Sequence, residues 1–257
     1  MKKVRLDTLL VDRGLAPSRE RARALIMAGQ VQAGSSTPLK PGTFVAPDTA
    51  VSLVVPDHPY VGRGGLKLAH ALDTFGIDVR DRDGLDIGAS TGGFTDVLLQ
   101  RGARHVVALD VGHGQIDWRL RTDPRVLVIE GMNARALRPA NLPGPVDIVT
   151  IDVSFISLRL VLPVVPAVLR PGADVIALVK PQFEAGRDEV GRGGLVLDRS
   201  VHERVVADVA TAAAAVGLAP HGMTASPITG ATGNQEYLLH LRAGAAAERV
   251  NAAGSPA

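Results

Sequence analysis

The chain is 257 residues long and 46% apolar, with 28 glycines, eight aromatic residues, no cysteine and a formal net charge of +2. That apolar share supports a packed core and excludes wholesale disorder, while the lack of cysteine excludes a disulfide scaffold, a thiolate nucleophile and any cysteine-based zinc or iron–sulfur site. The longest apolar run, Leu160–Leu169, is interrupted by Pro163 and Pro166 and falls far short of the roughly 18–20 residues of a membrane helix, and Asp7, Asp12 and Arg13 break any leader after Met1-Lys2-Lys3, so a soluble, cytoplasmic protein is expected.

The first sixty residues read as two short helices and a small sheet. Leu6, Leu9, Leu10 and Arg13 fit a helical stripe that Gly14 stops. Pro17-Ser18 opens a second helix, with Ser18 as N-cap, Glu20 in the first turn, an apolar face at Ala22, Leu25 and Ile26, and Gly29 as C-cap. Val31, a Gly34-Ser35-Ser36 turn and Val51–Val55 follow in β pattern, and Pro56-Asp57-His58-Pro59 reads as a linker.

Beyond Gly65 the pattern changes. A helix around Leu66–Phe75 precedes strands at 84–87, 105–110, 126–130, 146–152 and 173–179, with helices at 94–101, 158–169 and 198–216 and two closing strands at 218–225 and 236–241. Apolar strands alternating with helices predict an α/β domain with a mostly parallel, Rossmann-like sheet covered on both faces, with its last strand expected to run antiparallel. The expected division is 1–60, 61–242 and a disordered Ala/Gly-rich tail over 243–257.

Asp86-Ile87-Gly88-Ala89-Ser90-Thr91-Gly92-Gly93-Phe94-Thr95 follows a strand and opens a helix. Glycines there let a ligand press on the backbone, and the helix start offers free N–H groups. A P-loop is excluded because no lysine follows Gly93, and the G-x-x-x-G-G spacing lacks the second glycine that admits a dinucleotide's pyrophosphate. S-adenosylmethionine has a ribose and no phosphate. Asp86 would suit its ammonium, Asp110 at the end of the next strand its ribose hydroxyls, and Gly88, Ser90, Thr91, Gly92, Gly93 and Phe94 would line it. Asn133 would bond either the adenine edge or nearby backbone. Trp118, Phe94 and the methionines are expected to pack in the core, and His113 falls near the ribose position. The seven histidines show no metal-ligand spacing, so no metal is called for.

These motifs, with A-L-D-V-G-H-G-Q, N-A-R, D-V-S-F-I-S and V-K-P-Q-F-E, resemble the TlyA family of FtsJ-like methyltransferases, which act on rRNA 2′-hydroxyls. The stretch R-L-D-T-L-L-V-D-R-G-L-A-P-S-R-E-R-A-R-A-L-I-M-A-G-Q-V resembles the alpha-L RNA-binding domain of a ribosomal small-subunit protein. Together the resemblance covers residues 3–242. It implies an S-adenosylmethionine-dependent enzyme that methylates cytidines of small- or large-subunit rRNA, with ribosomal RNA or subunits as partners. It also implies a Lys–Asp–Lys–Glu tetrad on Lys67, Asp152, Lys180 and Glu236. Asp152 and Lys180 end successive predicted strands, at the edge where open α/β sheets bind ligands. Lys180 would either accept the proton of the 2′-hydroxyl or stabilise the developing alkoxide, with Asp152 and Glu236 orienting the lysines.

Charge agrees with an RNA-binding module. Residues 1–60 hold eight Lys and Arg against five acids, and the remainder twenty against twenty-one. Lys2, Lys3, Arg5, Arg19, Arg21 and Arg23, with Arg63 in the Gly62-Arg63-Gly64-Gly65 connector, are the candidate phosphate contacts. Only Phe44 and Tyr60 are aromatic in this stretch, so backbone and shape recognition is expected rather than base stacking. The competing readings are a non-catalytic RNA-binding or ribosome-assembly protein, which the tetrad disfavours, and a membrane-acting haemolysin, which has no span to insert. An NAD-dependent oxidoreductase is disfavoured by the glycine spacing.

Overall fold

The computed structural model describes residues 3–27, 29–34, 40–53 and 58–244. The chain divides into two compact units, Met1–Pro59 and Tyr60–Ala257. Tyr60 belongs to the second because its ring lies on Gly65, so closely that a Cβ there would sit 2.5 Å from it. Lys2, Ser35, Ser36, Val54–Asp57 and the expected tail beyond Gly244 lie outside the described residues.

In the first unit, β1 (Val4–Arg5), α1 (Leu6–Asp12), α2 (Arg19–Met27), β2 (Val31–Ala33), β3 (Phe44–Val45) and β4 (Val51–Leu53) enclose a small core of Leu6, Leu10, Ala16, Ala22, Leu25, Ile26 and Val31. β1 pairs with β3 and β2 with β4, each antiparallel. Ser18 Oγ accepts from Arg21 N at 3.2 Å, an N-cap bond for α2.

The second unit runs α3 (Gly64–Phe75), β5 (Asp83–Ile87), α4 (Gly93–Gln100), β6 (His105–Leu109), α5 (Trp118–Arg121), β7 (Val126–Ile129), β8 (Val146–Ile151), β9 (Leu169–Val179), α6 (Pro181–Glu184), α7 (Arg199–Ala215), β10 (Leu218–Ala225) and β11 (Tyr237–Ala243). Seven strands form one sheet in the order β10-β11-β9-β8-β5-β6-β7, parallel except at β11, which is antiparallel to both neighbours. The fold class and the antiparallel last strand agree with the expectation. Alternate residues serve opposite faces. Leu85, Ile87, Val149, Ile151 and Val175 pack with Val205 and Val209 of α7, while Val106, Ala108, Ile148 and Ile176 pack with Leu68 and Leu72 of α3 and Val97 and Leu98 of α4. Each such large side chain contributes about 1.5–3 kcal/mol of burial.

Three expectations are corrected. Residues 158–169 are not a helix but three 3₁₀ turns, Leu158–Leu160, Leu162–Val164 and Pro166–Val168, because Pro163 and Pro166 have no N–H to donate and their rings clash with the preceding turn. Trp118 is 73% exposed rather than packed, since α5 is only four residues long and buries Leu120 alone. Met27 and Met223 are exposed too, so the methionines are not uniformly core.

Candidate active site

The sheet reverses its order at β5, whose neighbours β6 and β8 lead chain connections in opposite directions, and a crevice opens there beyond the strand ends. Gly88 leaves β5 at φ +85°, and a Cβ on it would lie 2.4 Å from the carbonyl oxygen of Asp152. Glycine is therefore required at 88 because the loop after β8 lies against it. A larger side chain would collide with the Asp152 backbone before it reached any ligand. Ser90 also has positive φ, +49°. Its N–H donates to Asp110 Oδ2 at 2.8 Å, and Gly112 N donates to Asp110 Oδ1 at 2.7 Å. These two bonds aim the Asp110 carboxylate along the wall of a cleft of about 1060 Å³.

Two lysine–carboxylate pairs stand in a neighbouring cleft of about 720 Å³. Lys180, just past β9, places Nζ 2.6 Å from Asp152 Oδ1 and donates to Ser154 Oγ at 2.8 Å. Lys67, on the first turns of α3, places Nζ 2.5 Å from Glu236 Oε2, immediately before β11. Lys67, Lys180 and Glu236 are buried. The antiparallel course of β11 brings Glu236 to the edge where β8 and β9 end, and the packing of α3 on α4 and β11 carries Lys67 to it. The four residues of the expected tetrad thus meet in one cleft, as two ion pairs. The two clefts share Gly88, Ser90, Asp152, Ser154, Phe155 and Phe183.

Thr91, Gly93 and Phe94 line the smaller cleft with Arg63, and Asn133 lines the larger. Asn133 Oδ1 accepts from Arg135 N at 3.0 Å, capping the 3₁₀ turn Ala134–Ala136, which is the backbone option of the two expected for it. Asp86 is corrected. It is fully buried and lines neither cleft. Its Oδ2 accepts from Thr95 N at 2.9 Å and Thr95 Oγ1 at 2.7 Å, and its Oδ1 accepts from Thr150 Oγ1 at 2.9 Å. It braces α4 against β5 and β8 from inside, and burial pushes its carboxyl up to about 6. Gly92 is corrected likewise. At φ +95° the Cβ it lacks would meet Leu120 Cδ1 at 2.2 Å, so it admits α5 rather than a ligand. His113 lies on Gly131 and lines neither cleft.

Sequence reasoning gave no role to Ser154, Phe155, Gln182, Phe183 or Glu184. Phe155 is 91% exposed at φ +62°, on the wall common to both clefts, with its ring centroid 5.2 Å from that of Phe183. An aromatic residue signals burial in a sequence, and nothing local announces the opposite. Glu184 is buried and accepts from Ser157 Oγ at 2.6 Å and Leu158 N at 2.7 Å, and burial holds its carboxyl above the usual range.

In the first unit, Arg5 bonds Asp7 through Nε at 3.0 Å and Nη2 at 2.7 Å, and Arg19 reaches the same carboxylate at 3.5 Å. The Arg5 guanidinium holds Asp7 down at about 2. Two of the expected phosphate contacts are thus partly neutralised by a buried acid, while Lys3 and Arg23 are exposed. Among the described residues no group of three His, Cys, Asp or Glu could hold a metal, and no helix is long and apolar enough to cross a membrane.

A family model described as FtsJ-like methyltransferase matches residues 60–243, and one described as S4 domain matches residues 4–34. The chain is 51% identical over 243 residues to the Bacillus subtilis protein named "Putative rRNA methyltransferase YqxC", covering 93% of this chain and 86% of that one. It is 50% identical over 242 residues to the 16S/23S rRNA (cytidine-2′-O)-methyltransferase TlyA of Mycobacterium tuberculosis, covering 94% and 90%. Among solved structures, "Putative hemolysin from Streptococcus thermophilus" matches with a TM-score of 0.75 at 45% identity, over 95% of this chain and 90% of that one.

Proposed function

The chain belongs to the TlyA family of FtsJ-like methyltransferases, and on that premise we propose that it moves a methyl group from S-adenosylmethionine to the 2′-hydroxyl of cytidines in ribosomal RNA, in the cytoplasm. The observation that carries the reading is the pair of lysine–carboxylate contacts, Lys180–Asp152 and Lys67–Glu236, in a cleft continuous with the one that Asp110 lines.

The residues fit the donor. Asp110, already oriented by Ser90 and Gly112, keeps lone pairs for two ribose hydroxyls. Gly88 leaves backbone exposed where a Cβ would stand, and Thr91, Gly93 and Phe94 extend that surface. When bound, S-adenosylmethionine supplies an electrophilic methyl group. The chain's own part is to orient the hydroxyl and to meet the charge that forms on its oxygen. Lys180 is the cation for that charge. Asp152 and Ser154 hold its Nζ in place, so little reorganisation is needed as the hydroxyl oxygen passes its proton to solvent water. Lys67, held by Glu236, adds a second fixed cation in the same cleft. RNA is gripped through phosphates by the exposed Lys3 and Arg23, with Arg21, Arg5 and Arg19, which have partners within the chain, contributing less. Lys2 and Arg63 complete the proposed set.

The test is incubation of each purified ribosomal subunit with labelled donor, followed by mapping of ribose methylation. Label on a cytidine 2′-oxygen is expected, and label on a base or on protein would reject the reading. Lys180→Ala should lower turnover by at least about 10²-fold, the usual loss when one preorganised stabiliser is removed, while donor affinity by calorimetry changes little.

A further inference from the structure

Gln182 lies on α6, two residues beyond Lys180, and lines the cleft that holds both ion pairs. Its side chain makes no hydrogen bond among the described residues, and its Oε1 is enclosed. An enclosed amide oxygen without a partner is unfavourable until a donor reaches it, and buried polar atoms in native proteins are nearly always paired. Nε2 is not enclosed in this way, so the two ends of the amide differ in what they gain from a ligand, and the larger gain is at the acceptor. The backbone beneath is set from both sides. Pro181 opens the turn, Phe183 N donates to Lys180 O at 2.9 Å, and Glu184 is fastened to Ser157 and Leu158. Only the side chain is untied, so no existing bond has to break before Oε1 meets a group entering the cleft, and an amide turned the other way would leave Nε2 enclosed and unpaired where Oε1 now lies.

Which ligand brings the donor follows from position and charge. Gln182 lines the cleft of Lys67 and Lys180 and not the one lined by Asp110 and Asn133. An ammonium arriving there would be better met by Asp152, a carboxylate on the wall shared by both clefts. A neutral carbonyl suits a neutral N–H.

We propose that Gln182 reads the target base, accepting through Oε1 from the exocyclic amine of the pyrimidine whose 2′-hydroxyl faces Lys180. The inference rests on the reading of this chain as a ribose methyltransferase acting on cytidine. Uracil carries a carbonyl where cytosine carries the amine, which would set two acceptors against each other.

The experiment measures single-turnover methylation of a target RNA with C, U or N4,N4-dimethyl-C at the mapped position, together with donor affinity by calorimetry. Wild type should favour C over both analogues. Gln182→Leu should methylate C about fivefold to tenfold more slowly, the worth of one hydrogen bond, with the C-to-U ratio falling towards one and donor affinity unchanged. Gln182→Glu, which keeps an acceptor, should preserve the C-to-U ratio. An unaltered ratio in Gln182→Leu, equal wild-type rates on C and dimethyl-C, a preference for U, or a loss confined to donor affinity would each overturn the assignment. If the Leu variant fails to fold, Gln182→Met, which keeps the length of the side chain and removes the acceptor, carries the same comparison. Failure of the underlying reading is distinct: wild type would then methylate no cytidine 2′-hydroxyl at all.

Discussion

Asp86 and Asp110 stand near the ends of adjacent strands, yet one carboxylate is sealed inside the fold and the other faces a cleft. Asp86 has a measurable consequence. Burial raises its carboxyl from 3.8 to about 6, and the nearby Asp152 adds to the effect, against the Thr95 and Thr150 bonds that oppose it. The folded state therefore prefers the protonated acid. Its contribution is complete below the unfolded value and is lost as the pH rises through about 6, a swing of up to about 3 kcal/mol. Asp7 and Asp83, held at about 2 chiefly by Arg5 and Arg104, act in the opposite sense and below pH 3.8, so the two windows separate. Asp86→Asn should remove the decline in stability between about pH 4 and 6, read from urea midpoints along the pH axis. An unchanged slope would assign the decline to another group, such as Glu184. The same residues illustrate what a sequence conceals: an acid before a glycine loop looks ligand-facing, but Thr95 and Thr150 turn its carboxylate inward.

At the scale of elements, the segment from Asp152 to Leu158 is fastened to the segment from Lys180 to Glu184 at two points. Lys180 holds Asp152 and Ser154, and Glu184 holds Ser157 and Leu158. Between these points Phe155 is kept at positive φ with its ring exposed, a conformation that costs about 1–3 kcal/mol and persists only where its surroundings enforce it. Glu184→Ala would leave Ser157 and the Leu158 N–H without their acceptor. It should lower stability by about 2 kcal/mol and slow methylation, while Glu184→Gln, which still presents an acceptor to Leu158 N and an amide to Ser157, should recover most of both. Denaturant titration and initial rates provide the check, and an Ala variant with wild-type stability and rate would show that the second fastening is idle. Proline decides the neighbouring element. The apolar spacing of 158–169 suits a helix, and Leu158, Val161, Leu162, Val165 and Val168 are indeed buried, but two missing N–H groups divide the stretch into 3₁₀ turns.

For the whole molecule, the division into a basic first unit and a nearly neutral second one fits the proposed division of RNA affinity and chemistry between different surfaces. Binding to phosphates releases counterions, so RNA affinity should fall steeply with salt. Replacing Lys3, Arg21 and Arg23 together by Ala should reduce the slope of log affinity against log salt by about two to three, close to one for each phosphate no longer neutralised, while donor affinity stays at the wild-type value. Filter binding across a range of salt concentrations is the measurement. An unaltered slope would move the proposed RNA site to the second unit, where Arg63 lines the candidate catalytic cleft. Replacing Arg5 and Arg19 should change the slope less, and should destabilise the first unit by leaving Asp7 buried without its cations.

The sequence alone determined the layer architecture, the strand positions of the second unit and the glycine loop, each a local property of apolar periodicity or helix-start chemistry, while the residue types of the tetrad came from the resemblance to the TlyA family. The sequence also located the excess charge. Only the tertiary structure decided the rest. Lys67 and Glu236 are 169 positions apart and meet because β11 runs antiparallel between β9 and β10 while α3 packs across it. Gly88 is held to glycine by the Asp152 carbonyl and Gly92 by its φ of +95° beneath Leu120, circumstances that no spacing rule contains. Asp86 and Asp110 share a residue type, but Asp86 lies within β5, level with Ala108, where Thr95 and Thr150 bond its carboxylate inside the fold, while Asp110 lies just past β6, where Ser90 and Gly112 hold it at the cleft.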